Sequence, residues 1–95
     1  MIAPGTRLRP HPKVLVTPLR DGTAVLLHLE TKFYFTLNAT GVFVWRALEA
    51  SQGLTAASLA GLVSAEFEVD HVTAERDLDT LLGELLDEGI AVVVA

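Results

Sequence analysis

The stretch Phe33-Tyr34-Phe35-Thr36-Leu37-Asn38-Ala39-Thr40-Gly41-Val42-Phe43-Val44-Trp45 decides how this chain reads. It holds five of the six aromatic residues in the sequence, so the core is expected to form around it. Phe33, Tyr34, Phe35 and Thr36 are aromatic or β-branched, the residue types that fit a pleated, half-buried strand. Asn38 interrupts the run, and its side-chain oxygen can accept from a free N–H of a following helical turn. Val42, Phe43 and Trp45 then recur with Leu48 at helical spacing. The stretch predicts a strand over 33–37 that feeds directly into an amphipathic helix over 39–50. Gly41 falls in the first turn of that helix, where a missing side chain permits close packing.

Upstream, Met1 to Pro12 carries Pro4, Gly5, Pro10 and Pro12 and reads as an extended arm or loop. Residues 1–13 are therefore expected to form an N-terminal arm, and residues 14–95 one domain. Val14 to Thr17 reads as a short strand ended by Pro18, which cannot donate to a ladder. Asp21-Gly22 between two apolar runs is a hairpin signal, because both residues tolerate positive φ. Ala24 to Leu29 is a second strand, apolar on both faces, which calls for cover on both sides. Glu30-Thr31-Lys32 makes the next turn, and three strands joined this way form an antiparallel meander.

Downstream, Ser51-Gln52-Gly53 ends the first helix, with Gly53 suited to a left-handed cap. Thr55 caps a second helix over Ala56 to Glu66, with Leu54 and Leu59 placed as a hydrophobic staple. Asp70 caps a third over His71 to Glu88, and Gly89 takes the position just past its end. Leu78, Leu81, Leu82, Leu85 and Leu86 give that helix a stripe centred on Leu81 and Leu85. Ile90 to Val94 is a β-prone run that can pair with the sheet, pack on the core or meet another subunit, which leaves room for a homodimer. The fold class is α+β: a three-stranded antiparallel β-meander followed by three α-helices, a winged helix-turn-helix.

Composition narrows the function. With 95 residues, half of them apolar, the chain is one folded domain. It has no cysteine, hence no disulfide framework and no thiolate metal site. No apolar run approaches the roughly 18 residues of a membrane span, and Met1-Ile2-Ala3-Pro4 starts no signal sequence. A cytoplasmic protein with no membrane partner is expected. His11, His28 and His71 form no i, i+4 pair, so no metal is expected. Ser51, Ser58 and Ser64 lack a nucleophile elbow, and there is no phosphate-binding glycine loop. An enzyme is not expected, nor a cofactor.

The net charge is −5, and from Glu66 onward Arg76 is the only base among nine acids. A recognition helix carrying Glu75, Asp77, Asp79, Glu84, Asp87 and Glu88 would repel a polyanion, which speaks against nucleic acid. Such a face suits a basic or amphipathic partner. The meander has open edges, and an extended peptide can add to one as a further strand. The last helix would frame the added strand with a flank that mixes apolar and anionic residues: Val72, Glu75, Asp79, Leu82, Gly83 and Leu86. The rival reading is an acidic winged-helix protein–protein adaptor or an atypical DNA-binding regulator.

Two groups of residues carry a resemblance. The first is Asp21-Gly22-x-x-Val25-Leu26-Leu27, then Tyr34-Phe35-x-Leu37-Asn38-x-Thr40-Gly41-x-x-x-Trp45. The second is Leu59, Phe67-x-Val69-Asp70, Asp77-Leu78, Leu81, Leu85 and Gly89-Ile90. In order and spacing they resemble the PqqD-like family over nearly the whole chain from Val14. Members are recognition elements for ribosomally synthesised and post-translationally modified peptides (RiPPs). They are non-catalytic winged helices that bind the leader segment of a precursor peptide and present it to a radical-SAM enzyme, leader protease or cyclase. The resemblance implies that the leader adds beside the third strand and lies against the third helix. Here that means Lys32, Phe33, Tyr34, Phe35, Thr36 and Leu37, facing Val72, Glu75, Arg76, Asp79, Leu82, Gly83 and Leu86. Lys32 stands where many relatives have Gly. The Asn38-x-Thr40-Gly41 segment and Trp45 look more like stand-alone lasso-peptide recognition subunits and general PqqD-like proteins than like the pyrroloquinoline-quinone (PQQ) protein.

Overall fold

A computed structural model describes residues 2–50 and 54–94. The cap expected at Gly53 lies outside them. The chain runs β1 (Arg7–Pro10), β2 (Val14–Pro18), β3 (Ala24–His28), β4 (Tyr34–Leu37), α1 (Ala39–Ala50), β5 (Leu54–Thr55), α2 (Ala56–Phe67), α3 (His71–Asp87) and β6 (Ala91–Val93). The meander is β2-β3-β4, antiparallel throughout, and the three helices follow it.

The N-terminal arm is only partly an arm. Within it β1 is the centre of a second antiparallel sheet, ordered β5-β1-β6, and its Leu8 is fully buried. Alternation explains why the sequence hid this strand. In Arg7-Leu8-Arg9-Pro10 only Leu8 is a buried apolar residue, and Pro10 sits where a breaker was expected. The same sheet settles the C-terminal run: β6 pairs with β1 inside the chain.

Local chemistry ends the elements as the residue types require. Asn38 Oδ1 accepts from the Gly41 N–H at 2.8 Å, closing the strand and starting α1. Thr55 accepts from the Ser58 N–H and Asp70 from the Thr73 N–H, at the starts of α2 and α3. Helix α3 ends in a Schellman motif: Ile90 N–H donates to the Leu85 C=O, Gly89 N–H to the Leu86 C=O, and Gly89 has φ 70°. The Asp21-Gly22 hairpin differs from the expected two-residue turn. Gly22 alone is left-handed (φ 87°), the Gly22 N–H donates to the Leu19 C=O and the Leu19 N–H to the Thr23 C=O. This is a three-residue loop, Arg20 to Gly22, with the glycine at its bulge position.

The core joins both sheets to all three helices: Leu8, Leu26 and Leu37 from strands, Trp45 and Leu48 from α1, Leu59 from α2, Leu82 and Leu85 from α3. Only one face of β3 is sealed. Ala24, Leu26 and His28 are buried, whereas Val25 and Leu27 on the opposite face are half-buried, so the described residues do not seal both sides.

Trp45 is 2% exposed, and truncating it to alanine is expected to cost about 3–5 kcal/mol in denaturant unfolding. A near-unchanged midpoint would remove it from the core. Hydrogen bonds from the Thr73 side chain and backbone N–H hold the Asp70 carboxyl below its ordinary value of 3.8. Its contribution is therefore complete above that value and disappears as pH falls through the lower native one. Asp70→Asn caps without titrating, so its urea midpoint should fall less than wild type between neutral pH and about pH 3. Identical slopes would contradict this role.

Candidate functional site

Strand β4 is bonded along one edge only. In the described residues its partner is β3, and its other edge pairs with no strand. The His28 N–H donates to the Phe33 C=O at 3.0 Å, which marks 28/33 as a hydrogen-bonded pair. Such pairs alternate along an antiparallel ladder, and the register places Leu26 opposite Phe35 and Ala24 opposite Leu37. The backbone groups of Phe35 and Leu37 thus turn toward β3. Those of Tyr34 and Thr36 turn outward, to the open edge.

Beside that edge lies a cleft of about 560 Å³ between β4 and α3. Phe35, Thr36 and Leu37 form the strand wall, and Ala74, Asp77, Leu78, Leu81 and Glu84 the helix wall. Phe67 and Val69, at the turn between α2 and α3, close one end. Phe67 is braced edge-on by Phe43 at 5.5 Å, and the Ser64 hydroxyl donates to the Val69 C=O at 2.7 Å. The lining is apolar apart from threonines, Asn38 and two carboxylates. Asp77 lies 4.0 Å from Arg76 Nε across largely exposed side chains, and no cation in the described residues lies within ion-pair distance of Glu84.

The expected strand residues divide accordingly. Phe35 is half-buried and Leu37 buried, both at the cleft, with Thr36 between them. Phe33 and Tyr34 are exposed, and Lys32 occupies a left-handed turn position (φ 64°), which explains why glycine suits that place. The expected helix residues mostly lie away from this cleft. Val72, Glu75, Arg76, Asp79 and Leu82 line a second cleft of about 440 Å³, with Ile2, Pro4 and the start of α2. Leu82 is fully buried, the Ile2 N–H donates to Asp79, and Glu75 pairs with His71 at 2.8 Å. Gly83 and Leu86 border neither cleft.

The cause is which flank of the helix faces β4. Its buried line is Ala74, Leu78, Leu82 and Leu85, not Leu81 and Leu85. At 100° per residue this leaves Asp77, Leu81 and Glu84 on the flank toward β4, and Val72, Glu75 and Asp79 on the far flank. Leu81 is half-buried, so a residue read as the centre of the core is a wall of the cleft.

Three side chains with metal-ligating atoms also meet, away from this cleft. His11, His28 and Glu30 place one such atom each within 4.8 Å of the others. The Lys13 N–H donates to His11 Nδ1 at 2.9 Å and the Glu30 N–H to His28 Nδ1 at 3.2 Å. A neutral imidazole that accepts at Nδ1 carries its proton on Nε2. A metal-bound histidine instead donates from its second nitrogen. The imidazoles are thus held by local backbone donors, and the His11–His28 ring contact at 4.5 Å, with the Leu29 N–H donating to the Lys13 C=O at 2.8 Å, ties the β3–β4 loop to the residues before β2.

Together these features define a winged helix-turn-helix whose wing keeps one strand edge unpaired above an apolar cleft. The chain matches the family model described as coenzyme PQQ synthesis protein D (PqqD) over residues 23–91, well over half its length, and it belongs to that family. It is also similar to two solved structures. One is TbiB1 in complex with the TbiA(beta) leader peptide: 32% identity, TM-score 0.79, covering 92% of this chain and 98% of that one. The other is lasso peptide synthetase B1 complexed with the leader peptide: 29% identity, TM-score 0.75, covering 90% and 96%. No curated protein matches the chain.

Half-burial of Phe35 gives a measurable consequence. Phe35→Ala should destabilise the fold clearly less than Trp45→Ala in the same denaturant titration. Equal losses would make Phe35 core rather than cleft wall.

Proposed function

We propose that this chain is a RiPP recognition element that binds an extended leader segment along β4 and presents it to a separate modifying enzyme. The outward N–H and C=O groups of Tyr34 and Thr36, beside an apolar cleft, carry this reading. They offer main-chain hydrogen bonds to a foreign strand, and the cleft receives its alternate side chains. Similarity to two proteins solved with leader peptides supports it, and favours a lasso-type precursor over a PQQ-type one. The enzyme served would be a leader protease or cyclase, or a radical-SAM enzyme in the other branches of the family. The role is non-catalytic: Asp77 and Glu84, the cleft's two carboxylates, stand about two helical turns apart on an exposed flank. The same two carboxylates oppose the DNA-binding alternative, since α3 would carry them toward phosphates.

Titration of ¹⁵N-labelled protein with the leader of a precursor encoded beside its gene tests the proposal. Amide shifts should concentrate on residues 34–37 and 77–84. Thr36→Pro removes an outward N–H and should abolish binding with the fold retained. Leu81→Ala should weaken binding, whereas Val72→Ala on the opposite flank should not. Unchanged affinity in Thr36→Pro, with native circular dichroism, would place the ligand elsewhere.

A further inference from the structure

The charge of the cleft specifies the peptide that fits it. Among the described residues its walls contain no lysine, arginine or histidine, and the two ionisable residues that line it, Asp77 and Glu84, are acids on α3. They are seven residues apart, hence about 10 Å along one helix flank, and Leu81 lies between them. An added strand turns every second side chain toward the helix, at a repeat of about 6.7 Å. Two inward positions four residues apart are therefore about 13 Å apart, close to the carboxylate spacing once side-chain reach is included. The competing ion pair is weak, since Arg76 and Asp77 are both largely exposed at 4.0 Å.

We infer that the cleft selects a cationic leader segment. Its groove-facing residues are apolar, bracketed by lysine or arginine within reach of Asp77 and Glu84. This rests on the strand-addition reading above and adds the class of peptide that it takes. Cation–carboxylate pairs at the cleft rim set orientation and speed of encounter, while the apolar residues and main-chain bonds supply most of the affinity. Like charges at the same places would reject acidic segments.

A selection from a library of random fourteen-residue peptides, displayed against wild type, Asp77→Asn/Glu84→Gln and Thr36→Pro, tests the inference. Wild type should enrich peptides with a basic residue at a fixed spacing from an aliphatic or aromatic one. The double variant should keep the apolar preference and lose the basic one. A wild-type consensus peptide should bind the double variant about fivefold more weakly at low salt, with the gap closing as salt rises. Peptides that depend on Thr36 but show no basic preference, or bind the double variant equally well, would overturn the inference and leave strand addition standing. A selection with no peptide sensitive to Thr36→Pro would overturn both.

Discussion

The contact between Leu37 and Gly41 sets the geometry on which the rest depends. A Cβ built on Gly41 would lie 2.9 Å from Leu37 Cδ2, so a larger residue there would push the buried Leu37 side chain aside, and glycine lets the first turn of α1 sit flush against the last residue of β4. With Asn38 closing the same turn, strand and helix form one rigid corner. Trp45 and Leu48 carry α1 into the core from that corner, and α3 packs into the same core through Leu82 and Leu85. The cleft between β4 and α3 is present without a ligand. A preformed cleft of this kind lowers the ordering cost of binding an extended chain.

That the cleft stays open follows from how α3 is turned. Its fully buried leucines seal the core, and the half-buried Leu81 is left on the strand side with acids above and below it. The opposite flank is partly filled by the chain itself. Ile2 donates to Asp79, and the Pro4 and Thr6 carbonyls accept from the first N–H groups of α2. One side of α3 is thus partly filled by the N-terminal segment, and the other faces an unpaired β-edge. The small β5-β1-β6 sheet holds the N-terminal segment in place by joining both ends of the chain to the start of α2.

Much of this was legible in the residues. Asn38, Thr55 and Asp70 cap the helices that their side chains suit, and Gly89 ends α3 because only its left-handed position completes the final bonds. The meander followed from apolar runs broken by turn residues, and the open edge of its last strand from the count of strands. Strand β1 was not legible, because a single buried leucine among two arginines and a proline gives no periodic signal. Strand β6 was visible as a β-prone run whose partner lay more than eighty residues away.

The sequence alone determined the β2-β3-β4 meander, the three helices that follow it and the side chains that cap them, since these depend on neighbours within a few residues. It did not determine which side of α3 faces that strand. Five leucines spread over adjacent lines of a helix wheel define a buried sector but not which of its two flanks meets the strand, and Glu75 and Asp79 lie on one flank, Asp77 and Glu84 on the other, roughly 140° or more away. Only packing against Leu8, Leu26 and Leu59, contributed from distant parts of the chain, selects one rotation, because a close-packed core accepts one set of interlocking side chains.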